Sequence, residues 1–372
     1  MGRAPLGREG SLERAPRLLG PFDSLLGRRR KIRARRRLRR AVSALHLRRL
    51  NRASVPEAPR EIRLFMVVRN ESLRLPYVLD YYSSLGVDRM FVIDNDSTDD
   101  TVELLLSRRD IHVFQTSESY VQQAAWVDLL LRRYGTGHWC LVVDADELLI
   151  YPHYERLGLR EFCAFLDRAG HDALDCLLLD MYSDKPVCAT AYECGSDPLA
   201  CAPYFDPDSH RQNRMWFPQD SLAPREMIES RFYGGMRGRV FGLRSVCLSK
   251  FPLLKFEPRM FLSAGTHLLE GAGVADIRGA LLHFKFLGDL PTRVYEEVRR
   301  GEHADDAREY KYYLNKLKRD PDFSPYHPGS QRFAGSDQLI GLGILESSAD
   351  LERVIRGAPM AARRDGTGRG LS

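Results

Sequence analysis

The feature that most constrains this chain is a regular alternation that begins near residue 61. Four short apolar runs, "IRLFMVV", "RMFVIDND", "IHVFQT" and "HWCLVVDADE", are separated by segments of helical composition. Runs this short and apolar on both faces suit strands buried inside a sheet. The intervening segments are "NESLRLPYVLDYYSSLG", ending at Gly86, then "STDDTVELLLSRR", with Ser97 or Thr98 as its cap, and "VQQAAWVDLLLRRY". This β-α-β-α-β-α-β order predicts an α/β fold with a mostly parallel sheet. In such sheets ligands bind beyond the carboxyl ends of the strands. Further on, "ALDCLLLDMY", "FPLLKF" and "GALLHFKF" predict more strands. Residues 183–235 read as long loops, and one amphipathic helix is predicted over about 292–318, with Tyr310, Tyr313, Leu314 and Leu317 on one side.

Charge divides the chain. Residues 1–60 hold 18 Lys and Arg against 4 Asp and Glu, whereas the remainder is net acidic. The expected organisation is a basic, Arg-rich extension and linker (1–60), a main domain (61–345) and a C-terminal tail (346–372). The tract from 28 to 52 has two readings, contact with anionic lipid or a solvated arm; Leu38, Ala41, Val42 and Leu45 share one helical face. Nucleic acid is not the expected partner, because no stacking aromatics are interleaved with the arginines. No apolar run approaches the ~18–20 residues that cross a bilayer. The opening residues also lack the apolar centre of a secretory signal. The expected location is therefore the cytoplasm, or the periphery of the plasma membrane's inner face. Seven cysteines without a CxxC knuckle read as reduced thiols, although Cys188, Cys194 and Cys201 cluster near His210.

Three predicted strand ends carry polar clusters: "RNES" at 69–72, "DNDSTDD" at 94–100 and "DADE" at 144–147. None is glycine-rich, which excludes a dinucleotide fingerprint and a Walker loop. Asp99 and Asp100 open a helix and would repel a phosphate there, so a bound nucleotide needs a divalent metal instead. Asp144 and Asp146 are two apart, so an extended backbone points both the same way and turns Glu147 aside. Hard oxygen ligands of this kind suit Mg²⁺ or Mn²⁺. His283 and Lys285 share a face of "GALLHFKF" and are expected to serve metal and phosphate respectively. Arg237, Arg239 and Lys250 are further candidates for a diphosphate.

Together, "VVRNES", "FVIDNDSTDDT" and "LVVDADELLIYP" resemble the nucleotide-sugar-binding half of family-two glycosyltransferases, and stretches such as "FYGGMRGRVFG" and "GALLHFKFLGDL" resemble a bacterial branch of that group. The resemblance covers roughly residues 61–345. It implies a GT-A fold, with a nucleotide-binding βαβ half, acceptor-side loops and a C-terminal helix. It further implies a nucleoside-diphosphate sugar donor, a glycan or lipid-linked hydroxyl acceptor, usually inversion at the sugar carbon, and a role in cell-surface polysaccharide synthesis. Carried over by position, Arg69, Asn70 and Glu71 would line the base and ribose pocket, with Asp94 and Asp96 beside them. Asp144 would face ribose or metal, Asp146 would be the main metal ligand, and His283 would complete the shell. Inversion needs a general base, for which Asp184 in "MYSDKP" and His267 in "GTH" are the first candidates, followed by Asp220, Glu226 and Glu257.

Two other functions compete. A haloacid-dehalogenase-like phosphatase also places carboxylates after a strand, but Leu148 stands where its DxDxT pattern requires Thr. A non-catalytic nucleotide- or sugar-binding protein tethered to membranes by the basic arm is the other.

Overall fold

The computed structural model describes residues 21–208, 210–216, 228–263 and 265–357. The described residues begin with helix α1 (Pro21–His46) and a short strand β1 (Arg48–Arg49). The predicted alternation follows: β2 (Ile62–Val68), α2 (Leu75–Leu85), β3 (Arg89–Asp94), α3 (Thr101–Ser107), β4 (Ile111–Gln115), α4 (Gln123–Leu130) and β5 (Trp139–Val142). Gly86 ends α2 as expected, in the left-handed conformation that frees a C-cap from Cβ strain. Next come β6 (Glu147–Ile150), α5 (Leu159–Ala169), β7 (Ala173–Asp180), β8 (Tyr204–Phe205), β9 (His210–Trp216), β10 (Ile228–Gly234), α6 (Gly235–Phe241) and β11 (Ser249–Lys255). The chain continues with β12 (Phe261–Ser263), β13 (Leu268–Glu270), β14 (Val274–His283), α7 (Leu290–Arg300) and α8 (Ala304–Arg319), then β15 (Gln331–Arg332), α9 (Ser336–Gly341) and α10 (Ala349–Ile355).

The fold class is the expected α/β. A nine-stranded sheet runs in the order β1-β4-β3-β2-β5-β11-β7-β14-β6. Strands β2 to β5 are mutually parallel, and β7 pairs in parallel with β14. β11 lies antiparallel between β5 and β7, and β1 and β6 run antiparallel at the two edges. Period-two alternation divides the strand residues between two cores. Leu64, Met66 and Val68 of β2 join one cluster, while Phe65 and Val67 join Phe91, Phe114 and Trp126 in the other.

Four expectations need correction. The predicted fourth strand ends at Val142, because residues 143–146 turn and Glu147 opens a separate strand at the far edge of the sheet. The predicted helix over 292–318 is two helices, since Gly301 adopts a φ of 65° and caps the first. Part of the predicted 183–235 loop is a hairpin, with β9 and β10 antiparallel. Neither Ser97 nor Thr98 caps α3; Asp99 accepts from the Thr101 amide, and the Ser97 hydroxyl accepts from the Asn70 amide.

The basic tract is docked on the body, and is not a solvated arm. Ile32 and Ser43 are buried, Arg36 pairs with Glu270 and Arg40 with Asp128, both at 2.9 Å. β1 then pairs with β4 and extends the sheet by one edge strand. Among the described residues, no helix is long and apolar enough to cross a membrane.

Candidate metal and nucleotide site

The site is built by strand register. After β5 the chain crosses the rim of the sheet and returns as β6, antiparallel to β14, which sets Glu147 opposite His283. β14 in turn sets His283 beside Asp180 of β7. Paired residues on neighbouring strands point to the same face. Glu147, His283 and Asp180 therefore form one row, and Asp146 precedes that row by one residue. The Phe284 amide donates to the Asp146 carbonyl at 2.8 Å and pins the turn against β14.

Asp146, Glu147 and His283 can each place a ligand atom within 4.8 Å of the others, and all three are buried. His283 Nε2 lies 3.4 Å from Asp146 Oδ2, and its Nδ1 lies 2.7 Å from Asp180 Oδ1. Asp180 is a carboxylate: burial would raise it, but Arg237 and His283 outweigh burial and hold it down to about 2. Nδ1–H therefore donates to Asp180 and Nε2 faces Asp146; burial would lower the imidazole pKa, but the Asp146 carboxylate more than offsets it. Burial would likewise raise the Asp146 carboxyl, yet His283, Lys285 and Arg293 hold it well below the ordinary value. The donor set of two carboxylates and one oriented imidazole fits a divalent cation of the Mn²⁺ or Mg²⁺ type.

Glu147 is a member of this cluster, contrary to the sequence-based expectation that it points away. That expectation assumed an extended backbone, whereas the Glu147 amide donates to the Asp144 carbonyl across a turn at 3.2 Å. Its carboxylate accepts from the Asp144 amide at 3.1 Å and from the Lys250 ammonium. Lys250 also reaches Asp144 Oδ2 at 2.8 Å. Burial works against the ammonium charge, but Asp144 and Glu147 more than offset it. Asp144 thus faces Lys250 and lies outside the metal cluster, and its carboxylate is half-exposed.

The remaining candidates divide by location. Arg237 is buried and bonded to Asp180 and Glu309, so it buttresses the histidine and does not offer its guanidinium to a diphosphate. Arg239 is tied to Asp206. Lys285 donates to the Tyr310 hydroxyl at 3.2 Å. Burial opposes its charge, but Tyr310 and the nearby Asp146 raise its pKa. Asp94 is fully buried at the end of β3, accepting from the Ser97 amide and from Gln115. Arg69 donates to the Asn95 carbonyl at 2.7 Å, Asn70 accepts from the Thr98 amide at 2.8 Å, and Asp96 is exposed. Glu71 is buried against Arg293 at 2.7 Å; burial raises its carboxyl despite Arg293 and Arg74.

Of the two expected bases, Asp184 is exposed and accepts from the Ser183 hydroxyl at 3.3 Å. His267 donates from Nδ1 to the Ser249 carbonyl at 2.8 Å; burial and the neighbouring Lys250 lower its pKa to about 4. Glu257 is part-exposed in the turn after β11. Asp220 and Glu226 lie outside the described residues. The cysteine cluster does not form a metal centre: Cys188 faces Asp322, Cys194 the Ser72 carbonyl and Cys201 the Pro198 carbonyl, and all seven thiols are free.

Three residues near the site escaped the sequence reading. Asp180 ends "LLLD", the same strand-end carboxylate pattern as Asp94 and Asp144, and was legible in principle. Arg293 and Tyr120 carry no such signal; packing alone brings them near Asp146, whose charge acts on both. A cavity opens beside Asp144, with Phe65, Val127 and Leu262 on its apolar side and Gln123, Lys250 and Thr266 among its polar groups. Among the described residues, the buried Glu71 Oε2, Arg293 Nη1 and Thr266 Oγ1 have no hydrogen-bond partner. Orphaned buried polar atoms are costly, and Thr266 lines this cavity, where a polar ligand would satisfy its hydroxyl.

Comparison with known proteins adds a partial likeness. No family model matches the chain. Over 102 residues, 26% of the chain, it is 30% identical to a glycosyltransferase family 92 protein of Ricinus communis, covering 18% of that protein. Over 90 residues, 24% of the chain, it is 29% identical to an uncharacterized glycosyltransferase of Rickettsia prowazekii (strain Madrid E), covering 29% of it. The chain therefore spans less than about a third of the length of either relative. Among solved structures, glucosyl-3-phosphoglycerate synthase from Mycobacterium tuberculosis with phosphoglyceric acid matches at 22% identity and a TM-score of 0.23, over 33% of this chain and 44% of that one. The same enzyme with Mn²⁺, uridine-diphosphate and glucosyl-3-phosphoglycerate matches at 21% identity and a TM-score of 0.21, over 36% and 51%. Scores this low have no bearing on the site.

Proposed function

We propose that this chain is a metal-dependent glycosyltransferase of the GT-A type, moving a sugar from a nucleoside diphosphate to a hydroxyl acceptor. The observation that carries this reading is the in-register row of Glu147, His283 and Asp180 with Asp146 at its end. The partial sequence likeness to two glycosyltransferases supports it. Asp146 and His283 would hold the cation, with Glu147 steadying the turn through Lys250. When bound, the cation would neutralise the diphosphate and assist its departure. Lys285 and Arg293 lie close enough to Asp146 to add positive charge to the same leaving group.

Inversion at the sugar carbon, a glycan or lipid-linked acceptor and a place in bacterial surface polysaccharide synthesis extend this proposal. For the general base, His267 has the better chemistry, since its neutral imidazole sits beside Lys250 while Asp184 faces solvent. The phosphatase reading finds no support, because Leu148 stands where its pattern requires Thr. The test is donor hydrolysis by the purified chain with Mn²⁺ and a panel of nucleotide sugars. Metal-dependent hydrolysis of one donor, lost in Asp146→Ala, is expected; no hydrolysis and no nucleoside-diphosphate binding would overturn the reading.

A further inference from the structure

Helix α1 has two unlike faces. One is fastened to the body through Ile32, Ser43, Arg36 and Arg40, and Arg36 also stacks on the Phe261 ring at 3.3 Å. Opposite that face, Leu38, Val42 and Leu45 recur at helical spacing and are 66%, 45% and 83% exposed. Projected at 100° per residue, Arg35 and Arg39 flank this apolar stripe on one side and Arg30 and Arg37 on the other, all exposed. No acidic residue lies between Asp23 and Glu57. A solvated helix face gains nothing from a leucine stripe, and a face meant only for phosphates gains nothing from it either. An apolar stripe bordered on both sides by arginines is the pattern of a helix lying in a bilayer interface.

We propose that the outward face of α1 seats on an anionic lipid surface, with the three apolar side chains entering the headgroup layer and the flanking arginines meeting lipid phosphates. The helix does not need to detach for this, because its docking contacts lie on the other face. α4, which receives Arg40 at Asp128, also lends Gln123, Ala124 and Val127 to the cavity beside Asp144. Lipid docking would therefore hold that cavity at a fixed position relative to the membrane.

The test is cosedimentation of the full chain with vesicles of phosphatidylcholine alone or mixed with phosphatidylglycerol, at about 0.1 M salt. Binding is expected only to the anionic vesicles and should weaken as salt rises. Leu38→Asp combined with Leu45→Asp should reduce it at least about tenfold, and so should Arg35→Glu combined with Arg39→Glu. Circular dichroism and melting temperature should stay unchanged, since these side chains are exposed. Failure to bind anionic vesicles, or equal binding by the leucine variants, overturns the proposal. Tight binding of a DNA duplex that needs the arginines but not the leucines would reassign the face to nucleic acid and also overturn it. Every readout is independent of sugar transfer.

Discussion

His283 donates from Nδ1 to Asp180 Oδ1 at 2.7 Å, and this contact decides which imidazole nitrogen faces Asp146. Asp180 is in turn gripped by Arg237, so the ring is held by a chain of groups that never reach the proposed cation. Asp180→Asn preserves shape but removes the charge that favours Nδ1–H. It should weaken Mn²⁺ binding about 10–100-fold with little change in fold. Calorimetric titration of Mn²⁺ checks this, with near-ultraviolet circular dichroism as the control for folding.

Lys250 compensates two carboxylates at once, and Glu147 is fully buried beneath it. Lys250→Met leaves that buried charge unpaired and should cost about 3–5 kcal/mol of stability. Adding Glu147→Gln should restore much of the loss. Urea unfolding of the single and double variants measures both; equal losses in the two would show that the pair is not coupled.

Thr266 occupies a φ of 73°, unfavourable for a β-branched residue, and among the described residues its buried hydroxyl has no partner in the cavity beside Asp144. Strain of this kind persists where it serves a site. Thr266→Gly should raise stability by roughly 1 kcal/mol while weakening nucleotide-sugar binding. A melting curve and a binding isotherm on the same sample separate the two effects.

His112 lies between Arg49 and Arg89, at 2.8 and 3.2 Å, and stacks on Phe91. Burial first, and then the two guanidiniums, lower its pKa from the ordinary 6.5 to about 4. The folded state therefore refuses a proton that the unfolded chain accepts. The stability this contributes is complete above the unfolded value and is lost as pH falls from 6.5 toward 4. His112→Phe keeps the stacking and should flatten the dependence of melting temperature on pH over that interval.

The α/β half was legible because its strands are short, doubly buried and separated by clear helical segments, so periodicity and length agree in every unit from Ile62 to Val142. Strand-end carboxylates marked the rim for the same reason. What local pattern could not supply was pairing across the sheet. Nothing in "DADELLI" says that Glu147 begins a strand at the opposite edge, since that depends on β14 being there to receive it. The same holds for Arg293 and Tyr120, which reach the Asp146 neighbourhood from separate helical segments through tertiary packing. The outward stripe on α1 was visible as periodicity, but which of its faces would be buried required the body of the protein.

The central claim is that Asp146 and His283 bind a divalent cation that a nucleoside diphosphate shares. Mn²⁺ binding followed by electron paramagnetic resonance, with and without a panel of nucleoside diphosphates, tests it most directly. One site is predicted, tightened by one of the diphosphates and lost in both Asp146→Asn and His283→Ala. Mn²⁺ binding that survives both substitutions, or that no nucleoside diphosphate alters, would contradict it.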